Sequence, residues 1–147
     1  MSRDTYSLIL PGDLDSLGRL REFVGQVADQ ANINKKAAYR LALAVDEVAT
    51  NIVVYGYQAN DMSGTISVRC RLDPDYLTIT LEDTAPPFNP LERADPGGLD
   101  APMEERPIGG LGVYLAVKGV DNFEYEYNDG KNFNSFIVNR SPNQQET

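Results

Sequence analysis

The sequence predicts an α+β two-layer sandwich, in which a mixed, mostly antiparallel sheet carries three helices on one face. Pairs of alternating apolar and polar runs, joined by short turns, predict antiparallel hairpins. Segments with apolar residues three and four positions apart predict the helices. Each element has a single apolar side, so the helices are expected to cover one face of the sheet. The 147 residues suit one domain, 1–147, with one core.

A short strand and a helix come first. Apolar residues in Thr5–Leu10 predict the strand, which a Pro-Gly pair ends. Asp13 suits the N-cap of the helix that follows. The apolar stripe of that helix consists of Leu14, Leu17, Leu20, Val24, Val27 and Ala31. No residue of this helix indicates chemistry, and Arg19, Arg21 and Glu22 are interpreted as a solvated face.

The second helix, predicted over 38–57 with Asn34 as its N-cap, organises the rest of the chain. Its apolar stripe is formed by Leu41, Ala44, Val45, Val48, Ile52 and Tyr55. Asn51 falls at the edge of this stripe and Glu47 just outside it, and because they are four residues apart their side chains are neighbours. A carboxylate beside a carboxamide at a buried edge is the first candidate for chemistry. A helix with a polar back face explains the pair equally well.

Two alternating strands follow, and an acidic residue ends the second. Thr65–Leu72 and Leu77–Leu81 predict a hairpin with one buried face. The same alternation puts Asp83 on the buried side. A carboxylate there is costly unless a group pairs with it. The alternative is a capped turn, because Asp-Thr-Ala-Pro-Pro is a natural end for a strand.

A segment rich in proline and glycine, roughly 84–108, predicts a lid or binding loop. Glycines at 109, 110 and 112 then lead into a third helix. Its apolar residues are Val113, Leu115, Ala116, Val117 and Val120. Glycines at a helix N-terminus allow backbone amides to approach a phosphate, and the helix dipole there favours negative charge. A plain helix start is the alternative.

The last elements form a second hairpin. Phe123, Tyr125 and Tyr127 alternate in one strand, and Phe133–Val138 forms the returning strand. Asp129-Gly130 between them is a strong signal for a type I′ turn. The remaining residues, 140–147, are expected to form a polar tail.

Composition excludes several classes of function. The formal net charge of −9 would repel DNA phosphates, so nucleic acid is not an expected partner. The absence of histidine removes the commonest general base and metal ligand. Cys70, the single cysteine, fits a buried strand position and cannot form an internal disulfide. No apolar run is long enough for a signal peptide or a membrane span, so we expect a cytoplasmic protein without membrane contact.

Three motifs, in this order, resemble those of the GHKL ATPase superfamily, whose ATP-binding unit is called the Bergerat fold. Asp46-Glu47-Val48-Ala49-Thr50-Asn51 looks like the N box, residues 83–90 look like the first glycine box, and residues 109–113 look like the second. The resemblance covers nearly the whole chain. Within the superfamily, the chain is most similar to the small stand-alone anti-sigma-factor serine/threonine kinases of bacteria. The form of all three motifs points there, including the Pro-Phe that follows partly replaced glycines in the first box.

The resemblance implies a role for each motif. Asn51 would give an oxygen to Mg²⁺, Asp83 would accept a hydrogen bond from the adenine amino group of ATP, and Glu47 would accept the proton of the attacking hydroxyl. The glycine boxes would contact the nucleotide through Ala85, Phe88, Gly109, Gly110, Leu111 and Gly112. Ala85 replaces the glycine of much of the superfamily. Arg106 is the candidate for the basic residue that contacts phosphate.

These roles imply a protein kinase that transfers the γ-phosphate of ATP to a serine or threonine of a STAS-domain anti-anti-sigma partner. Such a protein can also hold a sigma factor inactive. The main alternative is an ATP-gated protein-binding regulator with little or no kinase activity. A histidine-kinase catalytic domain acting in trans, and an α+β domain that binds no nucleotide, are further alternatives. The apolar faces leave open whether the protein is a homodimer.

Overall fold

The computed structural model describes residues 4–92 and 110–140. The strands are β1 (Asp4–Pro11), β2 (Thr65–Leu72), β3 (Tyr76–Asp83), β4 (Asn122–Asn128) and β5 (Lys131–Asn139). The helices are α1 (Leu17–Ala31), α2 (Lys35–Asn51) and α3 (Gly110–Val117). A 3₁₀ turn, Leu14–Ser16, leads into α1, and α2 continues as a π-helical segment, Ile52–Tyr57, and a second 3₁₀ turn, Gln58–Asn60.

Within the described ranges, the strands form one sheet in the order β1-β2-β3-β5-β4, and each neighbouring pair is antiparallel. Both predicted hairpins, β2–β3 and β4–β5, are present. Asp129 and Gly130 have φ angles of 57° and 79° at the tip of the second hairpin, as a type I′ turn requires. The predicted α+β two-layer fold is confirmed.

One face of the sheet forms the core with the helices. The buried apolar strand residues are Leu10, Ile66, Val68, Cys70, Leu72, Leu77, Ile79, Leu81, Phe123, Phe136 and Val138. Buried residues of α1 and α2, among them Leu20, Val24, Leu41 and Val45, pack against them. Burial also raises the pKa of Cys70 to about 11, so its thiol stays protonated at neutral pH. In the part of the chain that the structure describes, no helix is both long and apolar enough to cross a bilayer.

The N-terminal end of α1 differs from the prediction. Asp13 caps the 3₁₀ turn, since its Oδ1 accepts a hydrogen bond from the amide of Ser16 at 3.1 Å, and α1 begins only at Leu17. Leu14 lies in the turn and is 50% exposed, so its assignment to the apolar stripe is wrong. Arg21 is also more than a solvated residue, because its Nε donates to Asp46 Oδ1 at 2.8 Å and ties α1 to α2.

Three other apolar assignments differ from the structure for geometric reasons. Tyr55 is 38% exposed and Tyr57 is buried instead, because the π-helical turn after α2 adds a residue and moves the inward position along the chain. Leu115 is 60% exposed, because α3 turns Val113, Ala116 and Val117 toward the core. The α3 helix ends at Val117, so Val120, which was assigned to its stripe, lies beyond it.

Tyr57 fixes the end of the α2 extension against the sheet. Its hydroxyl donates to the carbonyl oxygen of Thr65 at 2.8 Å and accepts a hydrogen bond from the amide of Thr84 at 2.9 Å. The first contact reaches the start of β2, and the second reaches the residue after β3. The π-helical segment is therefore held beside the C-terminal end of β3, where Asp83 lies.

Candidate nucleotide-binding site

A cavity of about 460 Å³ opens between the C-terminal end of α2, its π-helical extension and the adjacent ends of β3 and β5. The lining residues are Val48, Asn51, Ile52, Tyr55, Gly56, Asp83, Ala85, Pro86, Pro87, Phe88, Pro90, Asn132 and Asn134. Four of the predicted site residues, Asn51, Asp83, Ala85 and Phe88, are among them. Most of the other lining groups are apolar, and this combination is typical of a small-molecule site.

Asp83 is the most buried charged group of the cavity, at 2% exposed. Its Oδ1 accepts hydrogen bonds from the amide of Ala85 and from Nδ2 of Asn132, both at 2.9 Å. Its Oδ2 is buried and has no hydrogen-bond partner among the described residues. Burial raises the pKa of Asp83 from 3.8 to about 6, although the hydrogen bonds from Asn132 and Ala85 act in the opposite direction. The carboxylate is therefore ionised at neutral pH, with one oxygen left for a donor from a ligand.

Asn132 holds the segment after β3 in place. No sequence motif predicts it as a site residue. Its Nδ2 donates to Asp83 Oδ1, to the carbonyl oxygen of Ala85 at 2.9 Å and to that of Pro86 at 3.3 Å. Its Oδ1 accepts from the Tyr125 hydroxyl and from the amide of Phe88 at 3.3 Å. These bonds join the first glycine box to β5, the strand paired with β3.

Asn134 is a second residue that the sequence analysis missed. It is 2% exposed, it lines the cavity, and its Oδ1 has no hydrogen-bond partner in the described residues. The alternation of β5 contained the signal, because residues 132, 134, 136 and 138 all lie on the buried side. The predicted strand begins at Phe133, so Asn132 lies outside it and Asn134 is its second residue.

Ala85 fits its position because of a glycine on the facing helix. It is 3% exposed, and a Cβ added at Gly56 would lie 2.8 Å from the Cβ of Ala85. Gly56 belongs to the π-helical segment, and π-helical turns often occur at functional sites. The methyl group of Ala85 thus takes the space that a side chain at position 56 would need. In this position the backbone amide of Ala85 donates its hydrogen bond to Asp83.

Glu47 and Asn51 lie at the other end of the site. Asn51 is 6% exposed and lines the cavity, and its side chain makes no hydrogen bond to another described residue. Glu47 is half-buried one turn earlier and does not line the cavity. A Cβ at Gly112 would lie 3.4 Å from Glu47 Oε1, so the first turn of α3 packs beside this carboxylate. The fold thus brings the N box and the second glycine box together.

The remaining predicted site residues are only partly described. The backbone of Gly110 and Leu111 forms the start of α3. Gly109, Arg106 and most of the predicted lid lie outside the described residues, as does most of the predicted polar tail. Of the lid, only 84–92 is described, and there the amide of Phe88 also donates to the Tyr125 hydroxyl at 3.2 Å.

Comparison with known proteins agrees with this arrangement. A family model described as the histidine kinase-like ATPase domain matches residues 10–135. The serine-protein kinase RsbW of Bacillus licheniformis is 26% identical over 130 residues, which cover 86% of this chain and 81% of that relative. The serine-protein kinase RsbW of Listeria monocytogenes serotype 4a is 30% identical over 132 residues, which cover 86% and 82%.

A solved structure shares the fold. The crystal structure of the RsbU and RsbW domains of a Mycobacterium tuberculosis protein matches with a TM-score of 0.64 and 13% identity. The match covers 95% of this chain and 33% of that one, so the chain spans about a third of the solved protein. Because the family model matches most of the residues, the chain belongs to the histidine kinase-like ATPase domain family.

Proposed function

We propose that the protein is an ATP-dependent serine/threonine protein kinase that phosphorylates a STAS-type anti-anti-sigma partner. The observation that carries ATP binding is the unpartnered Oδ2 of Asp83 in a cavity of about 460 Å³. A buried carboxylate oxygen without a hydrogen bond is costly, and a donor from a ligand removes that cost. The amino group of adenine is such a donor, whereas guanine carries a carbonyl oxygen there and would face the carboxylate with a second acceptor.

The phosphates of ATP would lie toward Asn51, Glu47 and the first turn of α3. This end of the cavity fits Mg²⁺, because the Asn51 carboxamide has no partner among the described residues and Mg²⁺ usually takes few protein ligands. Bound Mg²⁺ would neutralise charge on the phosphates. Backbone amides at the start of α3 would add hydrogen bonds to the phosphates, helped by Gly110 and Gly112.

In the proposed reaction, the hydroxyl oxygen of the partner's serine or threonine attacks the γ-phosphorus. A new oxygen–phosphorus bond forms, the bond to the bridging oxygen of ADP breaks, and the hydroxyl proton passes to Glu47. Glu47 is suited to this role because it lies one helical turn from Asn51 and beside the start of α3. The names of the relatives, serine-protein kinases, support the same reaction class.

A partner switch follows from this reaction. The unphosphorylated partner and a sigma factor would compete for the protein, and phosphorylation would release the partner and leave the sigma factor bound. We place this activity in one cytoplasmic domain, 1–147, with a lid over roughly 84–108.

A second candidate, an ATP-gated binding regulator, has one observation in its favour. Glu47 makes no hydrogen bond to another described residue, so no second side chain in that part of the chain orients it for proton transfer. In that case ATP would shape a docking surface and little phosphate would be transferred.

The deciding experiment uses the full chain, ATP labelled at the γ-phosphate, and STAS-domain proteins encoded near its gene. A kinase should label one of them on serine or threonine in the presence of Mg²⁺. Binding of ATP and of such a protein without label transfer would favour the regulator. Asn51→Ala should lose most of the Mg²⁺-dependent part of the ATP affinity, and an unchanged Mg²⁺ dependence would remove the metal assignment.

A further inference from the structure

The solvent side of the contact between α2 and α3 carries exposed apolar side chains. Tyr39, Leu43 and Leu115 are 68%, 41% and 60% exposed. Single exposed apolar residues are ordinary on protein surfaces, but a contiguous group of them indicates an interaction site. Whether these residues form such a group depends on the packing of the two helices.

The packing of α3 on α2 places these residues together. A Cβ at Gly112 would lie 3.4 Å from Glu47, and one at Gly119, just past the end of α3, would lie 3.9 Å from the side chain of Arg40. The helices are therefore antiparallel, and Leu115 is level with Leu43, midway between the two contacts.

The inner and outer sides of this contact differ. On the inner side, Ala44 and Ala116 are 0% and 7% exposed. Leu43 and Leu115, each one position earlier in the chain, lie on the outer side of the same contact. Tyr39 precedes Leu43 by one turn and so extends the outer side along α2.

Basic residues surround this apolar group. Lys35, Lys36, Arg40 and Lys118 are exposed, and none forms an ion pair within the described ranges. The first turn of α2 contains no acidic residue, although the helix dipole disfavours positive charge there. Helix stability therefore does not explain Lys35 and Lys36. Their clustering is also unusual in a chain of net charge −9.

We infer that this basic apolar strip, formed by Lys35, Lys36, Tyr39, Arg40, Leu43, Leu115 and Lys118, docks an acidic segment of the protein substrate that also carries apolar side chains. The inference rests on the proposed function. Leu43 lies one turn before Glu47, so a segment bound along the strip leads to the carboxylate assigned as the base. A second copy of the chain fits less well, because a symmetric contact would oppose the same four cations.

The test measures phosphorylation and binding of the STAS-domain protein encoded nearest the gene. Arg40→Glu and Leu43→Ser should each raise KM for this protein roughly tenfold or more, with kcat and KM for ATP unchanged, since neither residue touches the cavity. Matched controls are Arg69→Glu, exposed on the open face of the sheet, and Leu14→Ser, which is 50% exposed. Both controls should behave as wild type. A lysine substituted for an acidic residue of the partner should restore binding to Arg40→Glu.

The outcomes separate docking from catalysis. Wild-type phosphorylation with unchanged KM in the strip variants would overturn the docking inference and leave the kinase proposal standing. If wild type binds the STAS-domain protein without phosphorylating it, and Arg40→Glu weakens that binding, the docking inference is supported and the kinase proposal is overturned. If a strip variant differs from wild type in oligomeric state, as measured by light scattering, the strip binds a second copy of the chain. A variant that changes ATP affinity without the partner would assign it to a segment of the chain itself, and either result would overturn the inference.

Discussion

The two ends of the candidate site are built by different means. At the end assigned to adenine, Asp83 and Asn132 lie on two paired strands and form a buried hydrogen-bonded network with the backbone of Ala85, just after β3. At the end assigned to phosphate, Glu47 and Asn51 lie on one helix, and neither side chain hydrogen-bonds to another described residue. The fold itself therefore holds in place the acceptor that would select adenine. The groups that would act on phosphate would acquire their partners only from bound substrate.

This difference has an energetic consequence. The hydrogen bonds of this buried network fix its geometry, but Asp83 Oδ2 has no partner among the described residues and carries a desolvation cost that a ligand would relieve. The half-exposed carboxylate at the other end carries no comparable cost. Substitutions at the adenine end should therefore change both stability and ATP affinity, whereas substitutions at the phosphate end should change rate with little effect on stability. The predictions below test this contrast, from the largest expected effect to the smallest.

The largest effect is expected for Glu47→Gln. The amide keeps the shape of the side chain but cannot accept the hydroxyl proton, so phosphate transfer should fall by roughly 10²–10⁴-fold. We expect the lower end of this range, because a loose transition state needs only modest help from a base. Stability and ATP affinity should stay near wild type. Single-turnover transfer from labelled ATP and calorimetric titration give the two quantities.

Asp46→Asn is the matched control for Glu47→Gln. Asp46 lies next along α2 and pairs with Arg21 at 2.8 Å, so its amide variant loses only a largely exposed ion pair. Its transfer rate should equal that of wild type. Full phosphorylation by Glu47→Gln, or an equal loss of rate in both variants, would remove the assignment of Glu47 as the base.

The next effect is on stability and follows from the pKa of Asp83. The native state holds this proton more tightly than the unfolded chain, because the pKa is about 6 instead of 3.8. The resulting stabilisation is complete below pH 3.8 and is lost as the pH rises through about 6. Relative to Asp83→Asn, wild type without ATP should therefore lose roughly 2–3 kcal/mol of unfolding free energy between about pH 4 and pH 7. Urea denaturation at both pH values measures it, and a constant difference between the proteins would contradict the burial cost.

The same variant should weaken ATP binding by roughly 10–100-fold at neutral pH, since a donor replaces part of the acceptor that meets the adenine amino group. As the pH rises to neutral, Asp83→Asn would thus gain unfolding free energy relative to wild type, although its ATP affinity is lower. Glu82→Gln is the control, because Glu82 precedes Asp83 and pairs with Lys131 at 3.2 Å on the other face of the sheet. Equal ATP affinity in wild type and Asp83→Asn would mean that adenine does not bind at this carboxylate.

The sequence was sufficient for the fold and for part of the site, and particular residues show why. Strand alternation put Asp83 on the buried side, and helical spacing made Glu47 and Asn51 neighbours, because both periods are local properties of the chain. The network around Asn132 was not predictable in this way, since it joins residues up to 49 positions apart through side-chain geometry. The burial of Tyr57 instead of Tyr55 was also not predictable, because no local residue pattern indicates a π-helical turn.

The smallest effects compare the two asparagines of β5. Asn132→Ala removes the donor to Asp83 Oδ1 and to two carbonyl oxygens, and should lower the unfolding free energy by about 1–2 kcal/mol. It should also raise the pKa of Asp83 further, because the lost hydrogen bond favoured the ionised form. Asn134→Ala deletes an oxygen that has no partner among the described residues, so the free energy should change by less than about 0.5 kcal/mol. Urea denaturation and carboxyl NMR titration measure both quantities. Equal destabilisation by the two variants would mean that the network does not hold Asp83, and that the adenine end is no more preset than the phosphate end.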